Sequence, residues 1–403
     1  MANKSYSRRR FLGNIAAGST GTALATLPGG KSASAAGAIA DPPYPVTMVS
    51  YPLYAAAGPF PLENIKIVTT DEIPKSHEEK LQSFSPTLKL HQCRSFEEFH
   101  REVVDAHVIF ADFTRQDFAN AKQLRWIQTR AAGVEELVIW PELVESPVVL
   151  TSMQKIYSFG ISETVIGLLL SLAHGLNKYA VQTSNHLWKP VDSAFMQAMS
   201  ARRFGNGRDQ PWNLSDDLRE ISGLTMGVVG LGGIGGESAY RAHFGFGIRI
   251  LAVDPKPLPK PAFVAELHSL DWLPKMVPQV DVLLCAAPHT KESIGMLNES
   301  IFRAMKPTAY FINASRGTLV DTPALVRALK EGWIAGAGLD VTEPEPLPPE
   351  HPLWTAGNVL ITSHTSGHSG PSIVRALDLF SENVRRYVNG LPLLNVVDKV
   401  RGY

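Results

Sequence analysis

Short apolar runs of four to six residues recur along this chain, with polar or amphipathic stretches between them. In the second half the runs are Met226–Val229, Ile248–Val253, Asp281–Ala286, Tyr310–Asn313, Gly336–Leu339 and Asn358–Thr362. Most are apolar throughout rather than alternating, the pattern of strands covered on both faces. Segments of helical character, such as Ile301–Met305 and Thr322–Glu331, fall among them. This alternation predicts a doubly wound parallel sheet with helices on both faces. Upstream, Ala106–Phe110, Leu124–Gln128 and Val148–Thr151 are further strand candidates, so the first half reads as a separate α/β unit. Ile161–Leu176 is apolar on nearly all sides and predicts a buried helix that also serves a dimer contact. Its Glu163, Ser171 and His174 argue against a membrane span.

One strand-to-strand step carries chemistry. Met226–Val229 runs into Gly230, Gly232 and Gly235 in G-x-G-x-x-G spacing, then a small-residue helix, then Ile248–Val253 and Asp254. In such a turn the first glycine permits the tight bend and the second lets a pyrophosphate approach the backbone. The third lets the helix pack close to the strand, with its N–H groups aimed at the phosphates. An acid roughly 20 residues beyond the glycines accepts hydrogen bonds from a ribose diol. Strand, turn, helix, strand and acid in this order predict a dinucleotide site. Asp254 favours NAD over NADP by repelling a 2′-phosphate, and the nearby Lys256 and Lys260 oppose that preference.

Composition narrows the partners. The 403 residues suffice for two domains, and a formal net charge of zero gives no electrostatic case for nucleic acid. Two cysteines exclude a disulfide framework and a cysteine-rich metal site, and Cys285 lies in an apolar run as a small hydrophobe. Residues 1–40 hold no acid before Asp41 and carry Ser7-Arg8-Arg9-Arg10-Phe11-Leu12, a weakly apolar stretch and small-residue cleavage options near Ala33–Ala38. Residues 1–38 resemble a twin-arginine export signal, which implies a periplasmic destination. An organelle transit peptide shares this composition, and a cytoplasmic protein with an unstructured tail is the plain alternative. Asp41–Pro61 reads as a proline-rich linker and Pro190–Glu220 as a long surface loop.

Ligands in parallel sheets bind at the carboxyl ends of the strands. The later strands lead in turn into Pro288-His289-Thr290, into Ala314-Ser315-Arg316-Gly317, into Asp340 through Pro346, and into Ser363-His364-Thr365-Ser366-Gly367. These groups suit hydride transfer to a 2-oxo acid. The Arg316 guanidinium can grip a carboxylate through parallel hydrogen bonds and polarise the adjacent carbonyl. His364 can give or take the proton, and an acid beside it, for which Glu345 is the candidate, holds one tautomer.

The run Gly227–Gly367 resembles the D-isomer-specific 2-hydroxyacid dehydrogenase family. It does so through Gly230–Gly235, Pro288-His-Thr290, Asn313-Ala-Ser-Arg-Gly317, Ala337-Gly-Leu-Asp-Val341, Glu345-Pro346, His351-Pro-Leu-Trp354 and Thr362-Ser-His364. The likeness extends more weakly upstream through Leu124–Gln128 with Ala132-Gly-Val134. It implies two Rossmann-like or flavodoxin-like α/β domains with a cleft between them: a substrate domain of residues 44–158 plus 368–403, and an NAD-binding domain of residues 159–367. It implies catalytic Arg316, Glu345 and His364, with Glu345 chosen over Glu343 because it precedes the matched Pro346. Asp340 is matched to the residue holding the nicotinamide amide, Gly233 and Ile234 to the backbone on the pyrophosphate, and Ala132-Gly133 to the turn that helps bind the substrate carboxylate. Pro288, Ala314, Ser315, Ser366 and Gly367 complete the expected cofactor site.

The implied function is a reductase of small 2-oxo acids such as glyoxylate or hydroxypyruvate, working as a homodimer. An NAD(H)-sensing module with little turnover is the alternative. Two departures stand out: Gly233 replaces an arginine or histidine common in relatives, and His289 replaces a common leucine.

Overall fold

A computed structural model describes residues 64–189, 218–256 and 258–403. The expected export signal, the proline-rich linker and residues 190–217 of the polar loop lie outside the described residues.

The first half forms a five-stranded sheet from β1 (Lys66–Thr69), β2 (Lys89–Gln92), β3 (Val108–Phe110), β4 (Trp126–Gln128) and β5 (Val149–Thr151). All neighbours are parallel, in the order β2-β1-β3-β4-β5. This is a flavodoxin-like order, and its winding reverses between β1 and β3. The β1 and β2 strands carry little alternating signal. Lys89–Gln92 in particular is an edge strand with no buried position.

The helix Gly370–Val388 packs on this first sheet. Ser369 and Ser372 form a capping box at its start, Pro371 sits in its first turn, and Arg385 and Arg386 stand in its last turn. Phe380 stacks on Phe110 at 4.2 Å between centroids, and Trp126 lies against both Phe380 and Tyr387. Buried Asn383 donates to Gln128 Oε1 (3.0 Å) and accepts from the Leu394 amide (2.7 Å). These bonds satisfy polar groups that would otherwise each cost about 1–3 kcal/mol. The chain end is thereby fixed to the strands at its beginning.

The second half forms a seven-stranded parallel sheet: β6 (Thr225–Val229), β7 (Arg249–Val253), β8 (Val264–His268), β9 (Val282–Cys285), β10 (Tyr310–Asn313), β11 (Gly336–Leu339) and β12 (Val359–Ile361). Their order is β12-β11-β10-β9-β6-β7-β8. Of the five inner strands, β11, β10, β9 and β6 are buried at every position except Thr225, which explains their unbroken apolar character. Each large aliphatic side chain so buried contributes about 1.5–3 kcal/mol. Asp281 fastens the lower edge. It accepts from the Thr225 amide, Arg219 Nη2 and Lys306 Nζ, each at 3.0 Å.

The long apolar helix differs from its expected bounds. It runs Ser158–Ala173, and Gly175 (φ 62°) turns the chain into a separate helix, Leu176–Ser184, bent by 77°. A left-handed glycine ends a helix because a Cβ would clash there. Leu176 thus lies beyond the break and is exposed. The helix is also not covered all round: Val165, Leu168, Leu169 and Leu172 are buried against the second sheet, while Glu163 and Gly167 face solvent. Among the described residues no single helix is long and apolar enough to cross a membrane.

Candidate active site

The glycine turn lies at the switch point of the second sheet, between β6 and β9. Gly230 (φ 91°) passes so close to the end of β9 that a Cβ would stand 2.8 Å from Ala286 O and Ala287. Gly235 abuts the turn as well, since its Cβ would meet Gly230 O at 1.9 Å. The helix Gly233–Phe246 begins there, with Gly232 as its N-cap and no side-chain capping bond. Its first amides, including those of Gly233 and Ile234, have no intrahelical partner and favour an anion. Gly232 is exposed, and among the described residues no atom lies within 4 Å of its would-be Cβ. That open, donor-lined edge fits a dinucleotide pyrophosphate.

Asp254 follows β7, as the sequence indicates, and its carboxylate already has work. Oδ2 accepts from the Leu231 amide and Oδ1 from the Lys256 amide, both at 2.8 Å. The acid therefore holds the glycine turn, and lone pairs on the same oxygens remain for a ribose.

The other strand ends converge beside this turn. After β9, Pro288 is exposed, and its carbonyl accepts from Ser293 Oγ at 2.8 Å. After β10, Ala314 and Ser315 are buried, and Ser315 Oγ donates to Ala287 O. Arg316 emerges next, with Nη1 on the Ser315 carbonyl at 2.8 Å. Gly317 allows close contact with the loop after β11, because a Cβ there would meet Thr342 O at 1.8 Å. That loop carries Glu345, whose Oε1 accepts from the Thr342 amide at 2.9 Å.

Glu345 Oε2 lies 2.9 Å from His364 Nδ1. His364 follows β12 in left-handed backbone (φ 54°), with its amide on Asp340 O at 2.9 Å. Asp340 is buried and accepts from Thr362 Oγ1 at 2.6 Å and from Ser366 Oγ. Asp340 and Ser366, both expected at the cofactor, are thus bonded to each other and shape the loop that presents His364. Gly367 packs against Tyr157, 3.2 Å from would-be Cβ to Cβ.

Known proteins resemble this chain in sequence and in fold. Residues 166–366 match the family model described as D-isomer specific 2-hydroxyacid dehydrogenase, NAD binding domain. A glyoxylate reductase of Thermofilum pendens is 32% identical over 320 residues, covering 79% of this chain and 83% of that protein. The chain belongs to the D-isomer specific 2-hydroxyacid dehydrogenase family. A family structure from Aeromonas salmonicida superposes with a TM-score of 0.67 at 27% identity, covering 84% of this chain and all of that one. One from Xanthobacter autotrophicus, in complex with NADPH and MES, gives 0.67 at 26% over the same shares. As a family member the chain is an NAD(P)-dependent oxidoreductase.

Three features of this dehydrogenase are not visible in its sequence. The first is Glu135, whose Oε1 accepts from Arg316 Nε at 2.5 Å across 181 residues of chain. Burial pushes the Glu135 carboxyl up, and the Arg316 guanidinium outweighs it, with His289 adding, to hold it below the usual carboxylate range. The second is how tightly the Ala132-Gly133 turn meets this pair. A Cβ on Gly133 would stand 2.2 Å from Arg316 Nη2 and 2.4 Å from Glu135 Oε2. The third is what lies over Gly233: its Cβ would meet Ser158 Oγ at 2.5 Å and Lys155 Cα at 3.1 Å. The space that a side chain would need at this departure is filled from the segment after β5. Lys155 is itself in left-handed backbone (φ 70°), and burial lowers its pKa.

Proposed function

We propose that the chain reduces small 2-oxo acids to 2-hydroxy acids with NADH. The observation that carries this reading is the His364–Glu345 pair, 2.9 Å apart, on the same sheet edge as Arg316 and the glycine turn. Arg316 binds the substrate carboxylate beside the Ala132-Gly133 turn and polarises the 2-oxo group. Glu345 occupies Nδ1 of His364, so Nε2 is the atom that gives its proton to the forming alkoxide. Glu345 then keeps the Nδ1 proton and with it the ring orientation. When bound, the reduced nicotinamide supplies the hydride to the 2-oxo carbon. The likeness to the Thermofilum pendens glyoxylate reductase supports a small substrate.

Mixing the purified protein with NADH and glyoxylate, hydroxypyruvate, pyruvate or phenylpyruvate tests this. Loss of absorbance at the nicotinamide band is expected with at least one of them. NADH binding with no turnover of any would favour a sensing module instead.

Three finer readings accompany this one. Asp254, held beside the turn by two amides, disfavours a 2′-phosphate, so NADH should give the lower KM of the two cofactors. Residues 1–38 direct export through the twin-arginine route, and replacing Arg8 and Arg9 with lysine should retain the protein in the cytoplasm. The chain assembles as a homodimer through Leu176–Ser184, where Leu176 and Val181 are exposed. Light scattering should then give twice the chain mass, and Val181→Glu should shift it to monomer.

A further inference from the structure

Arg316 does not meet its substrate as an unpartnered cation. Glu135 Oε1 sits on Nε at 2.5 Å, and Glu135 Oε2 and Arg316 Nη2 crowd the same space beside Gly133. Both side chains are largely withdrawn from solvent, at 30% exposure for Arg316 and 24% for Glu135, so their charges are weakly screened. The remaining guanidinium donors, on Nη1 and Nη2, can still take one carboxylate end-on.

A second charge cluster stands at the switch point of the first sheet. Asp71 follows β1, Asp112 follows β3 and Arg130 follows β4. Arg130 pairs with both acids, at 3.2 Å to Asp71 and 2.9 Å to Asp112. It lies three residues before Gly133, and its carbonyl accepts from Tyr157 Oη at 2.7 Å. Tyr157 in turn packs on Gly367, next to the His364 loop. In the ion pairs of Arg316 and Arg130 three carboxylates meet two arginines, so the acids of these two clusters outnumber the arginines by one.

We propose that Glu135, together with the acids paired to Arg130 three residues before Gly133, restricts the site to 2-oxo acids bearing a single carboxylate and a neutral or cationic side chain, and excludes those with a second anionic group. The inference rests on the 2-oxo acid reading and specifies its substrate class. A fixed carboxylate facing a substrate's second anion, in a partly desolvated cleft, reduces its binding by about tenfold or more. Glu135 acts through charge and through Arg316, so it is a positioning residue and takes no part in proton transfer.

The test compares 2-oxoglutarate with its 5-methyl ester, which removes the second charge and adds one methyl group, in the wild type and in Glu135→Gln. The wild type should favour the ester in kcat/KM by about tenfold or more. Glu135→Gln keeps a hydrogen-bond acceptor for Arg316 Nε and should shrink that ratio several-fold, through KM for the diacid and not kcat. A wild type that favours the diacid, or a ratio unmoved in the variant, overturns the proposal. Should the variant not fold, oxamate and oxalate titrated into the NADH-bound wild type read the same preference from nicotinamide fluorescence. Oxamate should bind more tightly, and tighter oxalate overturns the proposal. If no 2-oxo acid turns over, the reductase reading fails, whereas turnover without discrimination between the acid and its ester removes only this inference.

Discussion

Replacing Gly133 with alanine probes how accurately Arg316 must be held. The backbone at Gly133 needs no left-handed conformation, so the only change is a methyl group. That methyl would stand 2.2 Å from Arg316 Nη2, where an ordinary contact is at least 3.4 Å, so the guanidinium must retreat by about 1.2 Å. Misplacing a reacting or gripping group by about 1 Å costs on the order of 100-fold in rate, or about 2.7 kcal/mol of transition-state stabilisation. The glycine turn at Gly230 is unaffected, so NADH should bind as in the wild type. Steady-state rates with NADH and glyoxylate should show kcat/KM down about 100-fold, with fluorescence titration of NADH unchanged. Wild-type kcat/KM in a folded Gly133→Ala protein would refute the view that this turn and Arg316 form one carboxylate site. Loss of NADH binding would refute the separation of the two sites.

Other expectations rest on the same geometry. Asp281→Asn should lower stability by about 1–3 kcal/mol by weakening three bonds at the sheet's edge, read as a lower denaturant midpoint at unchanged slope. Burial raises the Asp281 carboxyl, and the Thr225 amide, Lys306 and Arg219 outweigh it, so its folded pKa is depressed. Its contribution is therefore present above the unfolded value of about 3.9 and lost as pH falls through the folded one. The Asn variant should accordingly lose less stability than the wild type on acidification below about pH 4. Gly233→Arg should destabilise by about 1–3 kcal/mol because Ser158 and Lys155 fill the space its side chain would need. Tighter NADH binding at unchanged Tm would contradict this. Burial pushes the Cys93 thiol up to about 11 and Cys285 up to about 12, so a thiol reagent at about pH 8 should label neither in the native protein and both in denaturant.

The cofactor half is legible in the sequence because its chemistry is local. A turn of glycines, a strand and an acid fall within about 30 residues, and each later strand delivers its own residue to one edge. The first sheet is harder to read. Lys89–Gln92 is an edge strand with no buried position to mark it, and in the second sheet Val264–His268 is an edge strand too. The apolar helix ends earlier than its pattern suggests because Leu176 continues the pattern, whereas Gly175 breaks the backbone. Glu135 cannot be paired with Arg316 from the sequence, since nothing local marks a contact between elements 181 residues apart. Asp254 is marked by its carboxylate and not by its role in bracing Leu231, because a residue's hydrogen-bond partners depend on which loops the fold brings back to it.

Deuterium transfer tests the central claim most directly. Hydroxypyruvate is incubated with the protein and NADH carrying deuterium at both C4 positions, and the product is resolved by chiral chromatography and mass analysis. A site with Arg316 on the carboxylate and His364 as the proton donor, in a fold of this family, should yield D-glycerate with one deuterium at C2, and His364→Ala should bind NADH yet make almost none. The L-isomer, a product without deuterium at C2, or undiminished turnover in His364→Ala would contradict the account.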